Sequence, residues 1–359
     1  MSENRNNTVG ILTFHRTTNF GSLLQTFGLY EQVKKLGKEP VIVDYRCPAV
    51  EKREQVDRKK DFSSPKAIAR ELLFQPIIRK KSKALYAFVT ENMNVSRSYE
   101  PEKISEADAD FGRFLVGSDI VWGLDITEND TVFFLDFVKE KKKKFAFASS
   151  VGHREPTDQD RALAPLLSDF ASIAVREEDG AAWVRELTGS EPPVVCDPTM
   201  LLTAEEWEKR VPPRAYRGNY VLVYFDSDNH KCSRDAVEYA KKHGFEVWEI
   251  NYGRSHSGMK SVRPTDLSEF LGLIKNAATV FTASYHGFLF SVYFHKQFVF
   301  YTRAHKSRVL SLEKRLGLRR CGDAAIDFID ERIDYDAVDA EVDAFRRSSV
   351  EILKGMLNE

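Results

Sequence analysis

The side chains of this chain best suited to chemistry follow short apolar runs. His286 lies in the turn Ser284-Tyr285-His286-Gly287, between the strand-like run Ala278–Phe281 and an apolar helix start. Arg176 follows the apolar run Ser172–Val175, and Asp119 closes Gly117-Ser118-Asp119 after Arg113–Val116. In open α/β sheets ligands gather at the carboxyl ends of strands, where the next helix presents unpaired N–H groups to anions. An imidazole exchanges protons near neutral pH. A guanidinium is a planar fork for carboxylate or phosphate, and a carboxylate accepts from hydroxyls. Near the N-terminus, Asn19 suits a tight loop, Gly21 admits close backbone approach, and Ser22 is placed to cap the following helix.

The elements that must position these residues are legible from periodicity. Val9–Phe14 reads as a buried strand, Ser22–Leu36 as a helix ended by Gly37, and Val41–Tyr45 as the next strand, a βαβ unit. Strand-like runs recur at Arg113–Val116, Lys144–Ala148, Ser172–Val175 and Val194–Cys196. A Pro- and Arg-bearing linker, Trp207–Gly218, precedes a second series: Tyr220–Phe225, Glu246–Ile250, Thr279–Thr282 and Phe298–Tyr301, with helices between. The reading is therefore α/β, with two Rossmann-like doubly wound domains facing across a cleft in a GT-B-like arrangement. The first spans 1–205 and carries a basic helical insertion at about 51–105. The second spans 218–330, and a C-terminal helix at 335–359 is expected to pack back on the first.

Composition narrows the function classes. The chain has 359 residues, 42% hydrophobic and 30% charged, with a net charge of -1, so no global field draws it to nucleic acid. Its four cysteines show no metal-ligand or disulfide spacing, and a reducing cytoplasm fits. Met1–Thr8 is polar, and no apolar run approaches a membrane span. Two basic stretches, Lys139–Lys144 and the insertion, are the only segments suggesting contact with an anionic membrane surface.

Five segments together resemble the polysaccharide pyruvyl transferase family. They are the opening strand, Asn19-Phe20-Gly21 loop and Leu24-Gln25 helix; Gly117-Ser118-Asp119 with Trp122; Ala148, Ser150 and Gly152; Asp197-Pro198-Thr199; and Ser284-Tyr285-His286-Gly287. The resemblance runs from about Val9 to Leu318. It implies transfer of a pyruvyl group from phosphoenolpyruvate to a sugar of a cell-surface polysaccharide or its lipid-linked precursor, making a cyclic ketal. His286, Arg176 and Asp119 are then the expected catalytic residues: acid or phosphate partner, anion clamp, and base or hydroxyl anchor. Asn19, Gly21, Ser22, Ser118, Ser150, Ser284, Gly287 and Arg308 are the expected substrate contacts. Trp122 is expected to be structural, and Asp197 a turn residue that also faces the cleft.

No metal and no cofactor beyond the donor substrate are expected. The partners implied are phosphoenolpyruvate and a glycan or lipid-linked acceptor, with peripheral contact at the inner membrane face. Where some relatives carry arginine two residues before the histidine, this chain has Ser284, so either Arg303, Lys306 or Arg308 supplies the charge or this branch handles its donor differently. Two alternatives stand beside this reading. One is a nucleotide-sugar glycosyltransferase, disfavoured because no Glu follows His286 before Lys296; the other is a non-catalytic glycan-binding homologue.

Overall fold

The computed structural model describes residues 7–54, 65–152, 155–302 and 307–358, apart from the side chains of 65–72, 307 and 308. Two parallel sheets organise the chain. The first holds β1 (Thr8–Leu12), β2 (Glu39–Tyr45), β3 (Val95–Tyr99), β4 (Arg113–Val116), β5 (Lys144–Ser149) and β6 (Ser172–Val175), in the order β3-β2-β1-β4-β5-β6. The second holds β7 (Tyr220–Tyr224), β8 (Glu246–Ile250), β9 (Lys260–Val262), β10 (Thr279–Thr282) and β11 (Gln297–Phe300), in the order β11-β10-β7-β8-β9. Short β-branched and aromatic runs such as Tyr220–Tyr224, buried along their whole length, are what a strand covered on both faces requires. In both sheets the chain starts at the centre, builds to one edge, then returns to build the other. The order therefore reverses between β1 and β4, and again between β7 and β10. This is the doubly wound, two-domain Rossmann-like α/β fold expected from the sequence.

The helix Phe20–Lys35 is fixed at its start and along its length. Asn19, in an extended conformation, accepts from Gly21 N through its side chain at 2.9 Å. The cap is thus Asn19 and not Ser22, because the helix begins two residues earlier than the apolar pattern suggests, leaving the Ser22 hydroxyl for another partner. Further along, a Cβ on Gly28 would lie 2.3 Å from Pro198 O, so only glycine lets the Asp-Pro-Thr segment pack this closely.

Other expectations change in detail. The insertion read at 51–105 contains β3, the edge strand paired with β2; its sequence Val-Ser-Arg-Ser-Tyr has too little apolar content to announce a strand. Val194–Cys196 contributes one bridge, Val175 to Val194, and no longer strand. The chain divides into one unit of Met1–Gln55, Tyr86–Leu202 and Val342–Glu359, and another of Val56–Leu85 and Thr203–Glu341. The long helix Pro65–Asn92 is shared between them. In the second unit Lys81 lies over the Tyr252 ring at 4.2 Å and Arg263 over Phe74 at 5.2 Å; in the first, Phe88 packs on Phe27 at 5.2 Å. The C-terminal helix Tyr335–Asn358 belongs to the first unit from Val342 on, where Ser349 Oγ accepts from Cys196 N at 2.9 Å and Arg346 Nε donates to Met200 O at 2.5 Å; its first residues belong to the second.

Candidate functional site

In the first unit, the reversal point between β1 and β4 gathers several of the anticipated residues. Ser22 Oγ donates to Asp119 Oδ2 at 2.5 Å, and the other Asp119 oxygen accepts from Ile120 N at 2.8 Å. Asp119 is half-buried, with φ +78°, a left-handed conformation costly for most non-glycine residues. Ser118 is buried; its N–H donates to Gln25 Oε1 at 3.2 Å and its carbonyl accepts from Thr13 Oγ1 at 3.0 Å, so the helix and β1 both hold this loop. Asn19 is exposed at the helix start, and Gly21 is buried beside it.

Arg176 is placed differently from a solvent-facing clamp. Its side chain is 2% exposed and bridges Glu177 at 3.3 Å and Asp197 at 3.1 Å, and it donates to Ser118 Oγ at 3.4 Å. Glu177 in turn accepts from Ser150 Oγ, and Ser150 accepts from Gly152 N at 3.1 Å. Asp197 accepts from Thr199 N and Oγ1 at 2.9 and 2.8 Å. Arg176 is therefore the centre of a buried ionic network that ties the loops after β4, β5 and β6 together. Trp122 is fully buried, stacked near Phe134 and Trp183 with its indole N–H donating to Phe133 O at 3.0 Å, as a core anchor should be.

One cluster escaped sequence reasoning. At the carboxyl ends of β1 and β2, His15 Nε2 lies 2.9 Å from Asp44 Oδ1, and Arg16 Nη1 donates to both Asp44 oxygens at 3.0 and 3.2 Å. Burial pushes the Asp44 carboxyl up, but His15 and Arg16 outweigh it and hold the group below its ordinary range. The available signal was a single carboxylate inside the apolar strand Pro-Val-Ile-Val-Asp-Tyr.

In the second unit, the Ser-Tyr-His-Gly turn follows β10. Ser284 caps the helix Tyr285–Tyr293, its Oγ accepting from Gly287 N at 3.3 Å, and Ser284 N donates to Thr282 Oγ1 at 3.0 Å. Thr282 Oγ1 donates to Tyr224 O at 2.5 Å, locking β10 to β7. A Cβ on Gly287 would meet Thr282 Oγ1 at 2.4 Å, so glycine is what lets the helix start so close to the strand. His286 is half-buried in the first turn of that helix, edge-on to Tyr285 at 5.5 Å.

Beneath lies Tyr224, whose phenol is pushed up by burial and partly relieved by a hydrogen bond with Ser284. The next residue is Phe225. The sequence reading ran the strand through Phe225, where the backbone in fact turns left-handed. Arg308 lies in the helix Ser307–Arg315, its side chain outside the described residues, as are Arg303 and Lys306.

Comparison with known proteins bears on the fold and the family. MnaA of S. aureus, solved with UDP, superposes with a TM-score of 0.52 at 11% identity over 94% of this chain and 91% of that one, a likeness of fold. The UDP-GlcNAc 2-epimerase of Methanocaldococcus jannaschii follows at a TM-score of 0.49 and 13% identity, over 98% and 99%. No curated protein matches the chain. A family model described as polysaccharide pyruvyl transferase matches residues 19–305. That match runs from the Asn19 cap through Asp119, Arg176 and His286, and the chain belongs to the polysaccharide pyruvyl transferase family.

Proposed function

We propose that the chain transfers a pyruvyl group from phosphoenolpyruvate to two hydroxyls of one sugar in a cell-surface glycan or its lipid-linked precursor. The observation that carries this reading, within a transferase family, is the carboxylate of Asp119 held by Ser22 at a sheet reversal point, where a sugar hydroxyl can be oriented and deprotonated.

The chemistry has two stages. Protonation of the donor methylene makes the enol carbon electrophilic, and the first sugar oxygen adds there as its proton leaves. The second oxygen then displaces phosphate, which departs with the remaining proton, so the products are a pyruvate ketal and inorganic phosphate. His286 is the proposed acid toward the methylene, and the helix start at Tyr285 favours the anionic donor. Asp119 is the proposed base. Arg176, committed to Glu177 and Asp197, is assigned to positioning Ser118 and its loop. Incubation with phosphoenolpyruvate and a panel of glycosides tests the reading: release of phosphate together with a new ketal methyl signal by NMR is expected. Turnover of nucleotide sugars in place of phosphoenolpyruvate would overturn it.

The same reading includes peripheral contact with an anionic membrane. Among the described residues no helix is long and apolar enough to cross a membrane. The run Lys141–Lys144 is spent on local partners: Ser168 O, Glu140, Asp108 and Asp169. The proposal therefore rests on the helix Pro65–Asn92, where Leu73 is 70% exposed and shares its helix with exposed Lys80 and Lys83. Co-sedimentation with phosphatidylglycerol vesicles but not phosphatidylcholine vesicles is the expected result, reversed in Lys80→Glu/Lys83→Glu.

A further inference from the structure

Phe225 stands where β7 ends, at the second sheet's reversal point. Its φ is +54°, in the left-handed region that disfavours bulky L residues. Every residue of the strand before it is buried, yet Phe225 is 47% exposed. Strained residues of this kind persist only where their surroundings hold them, and they cluster at ligand sites. The surroundings do hold it. Ala283 N donates to Phe225 O at 2.9 Å, one residue before the Ser284 cap, and the Tyr224 ring lies 4.8 Å away. On the other side, Asp226 accepts from Ser227 N at 2.8 Å and from Ser233 Oγ at 2.7 Å, and lies 2.8 Å from His230 Nδ1. The main chain on both sides of Phe225 is thus fixed while its ring is left partly open to solvent.

We propose that Phe225 is the stacking platform for a pyranose ring of the acceptor, presenting that ring to the turn that carries His286. A pyranose has a face of C–H groups that packs on a flat aromatic surface while its hydroxyls point outward to polar partners. A ligand site combining one apolar plane with a few polar groups gains affinity from the first and orientation from the second. The proposal deepens the reading of the chain as a glycan-directed pyruvyl transferase and rests on it.

The test uses the full chain and three variants, Phe225→Gly, Phe225→Leu and Phe225→Tyr. Binding is read by saturation-transfer NMR with methyl glucopyranosides and galactopyranosides, and turnover by phosphate release from phosphoenolpyruvate. Glycine tolerates the left-handed conformation. Phe225→Gly is therefore expected to melt at or above the wild-type temperature while its acceptor KM rises at least tenfold and its phosphoenolpyruvate KM stays within twofold. Phe225→Leu, apolar without a flat face, is expected to lose the saccharide signal, and Phe225→Tyr to keep it.

Wild-type saccharide binding in Phe225→Gly, or a melting temperature several degrees below wild type, would overturn the proposal, as would wild-type protein that binds none of the glycosides. Saccharide binding that depends on Phe225, without release of phosphate from phosphoenolpyruvate, would instead overturn the pyruvyl chemistry and leave the platform standing.

Discussion

The hydroxyl of Ser22 donates to Asp119 at 2.5 Å, joining the first turn of the helix Phe20–Lys35 to the loop after β4. A carboxylate fixed by a single hydroxyl and one main-chain N–H keeps lone pairs for a substrate. Ser22→Ala should therefore slow phosphate release by about tenfold to a hundredfold while costing about 1 kcal/mol of stability. Asp119→Asn, which cannot act as a base, should fall further, by about 10²- to 10⁴-fold. Initial rates with phosphoenolpyruvate and a competent glycoside decide the matter; an Asp119→Asn enzyme at wild-type rate would remove the carboxylate from the chemistry.

His286→Ala should lose about 10² to 10⁴ in rate and stay within about 1 kcal/mol of wild-type stability, because the ring is half-buried and the helix cap belongs to Ser284. Chemical denaturation beside the activity assay separates the two roles. A loss of several kcal/mol would make the ring a packing element.

Arg176→Lys should act mainly on stability. The guanidinium satisfies Glu177, Asp197 and Ser118 together, and an ammonium cannot span the same fork. Breaking buried pairs of this kind costs about 3 kcal/mol, so a clear drop in the denaturation midpoint is expected. An equally stable variant with weakened phosphoenolpyruvate binding would make Arg176 a direct donor clamp.

Asp44 gives a pH signature. Its carboxyl is depressed in the folded state, so its contribution is complete above the unfolded pKa, about 4, and is lost as pH falls through the lower folded value. Asp44→Asn should cost about 2 kcal/mol at pH 7, with the gap to wild type closing in acid. Urea titrations at pH 7 and below pH 3 measure this; a gap independent of pH would exclude the carboxylate as its source.

Most of the parallel strands and the turn at His286 were legible because they are short apolar runs set between helical patterns. What was not legible arises between segments distant in sequence. Arg176 was marked as a charge at a strand end, but its pairing with Asp197 depends on how the Asp-Pro-Thr loop returns beneath β6. β3 and β9 were missed because edge strands need little apolar content, and Phe225 because strand propensity says nothing of a left-handed residue at a strand's end. Ser22 was read as a cap from its type alone, whereas Asn19 won that position through a better-placed side-chain oxygen.

The bond between Cys196 and Ser349 has a consequence for biosynthesis. The first unit is not a contiguous stretch: the whole of the second sheet lies between its segments Met1–Gln55 and Tyr86–Leu202 and its segment Val342–Glu359. On the ribosome, where amino-terminal domains ordinarily fold first, this one must wait until residues 342–359 have been made before the C-terminal helix can dock. A nascent chain arrested just short of residue 342 should therefore be cut by protease in the first sheet well after the second has become resistant.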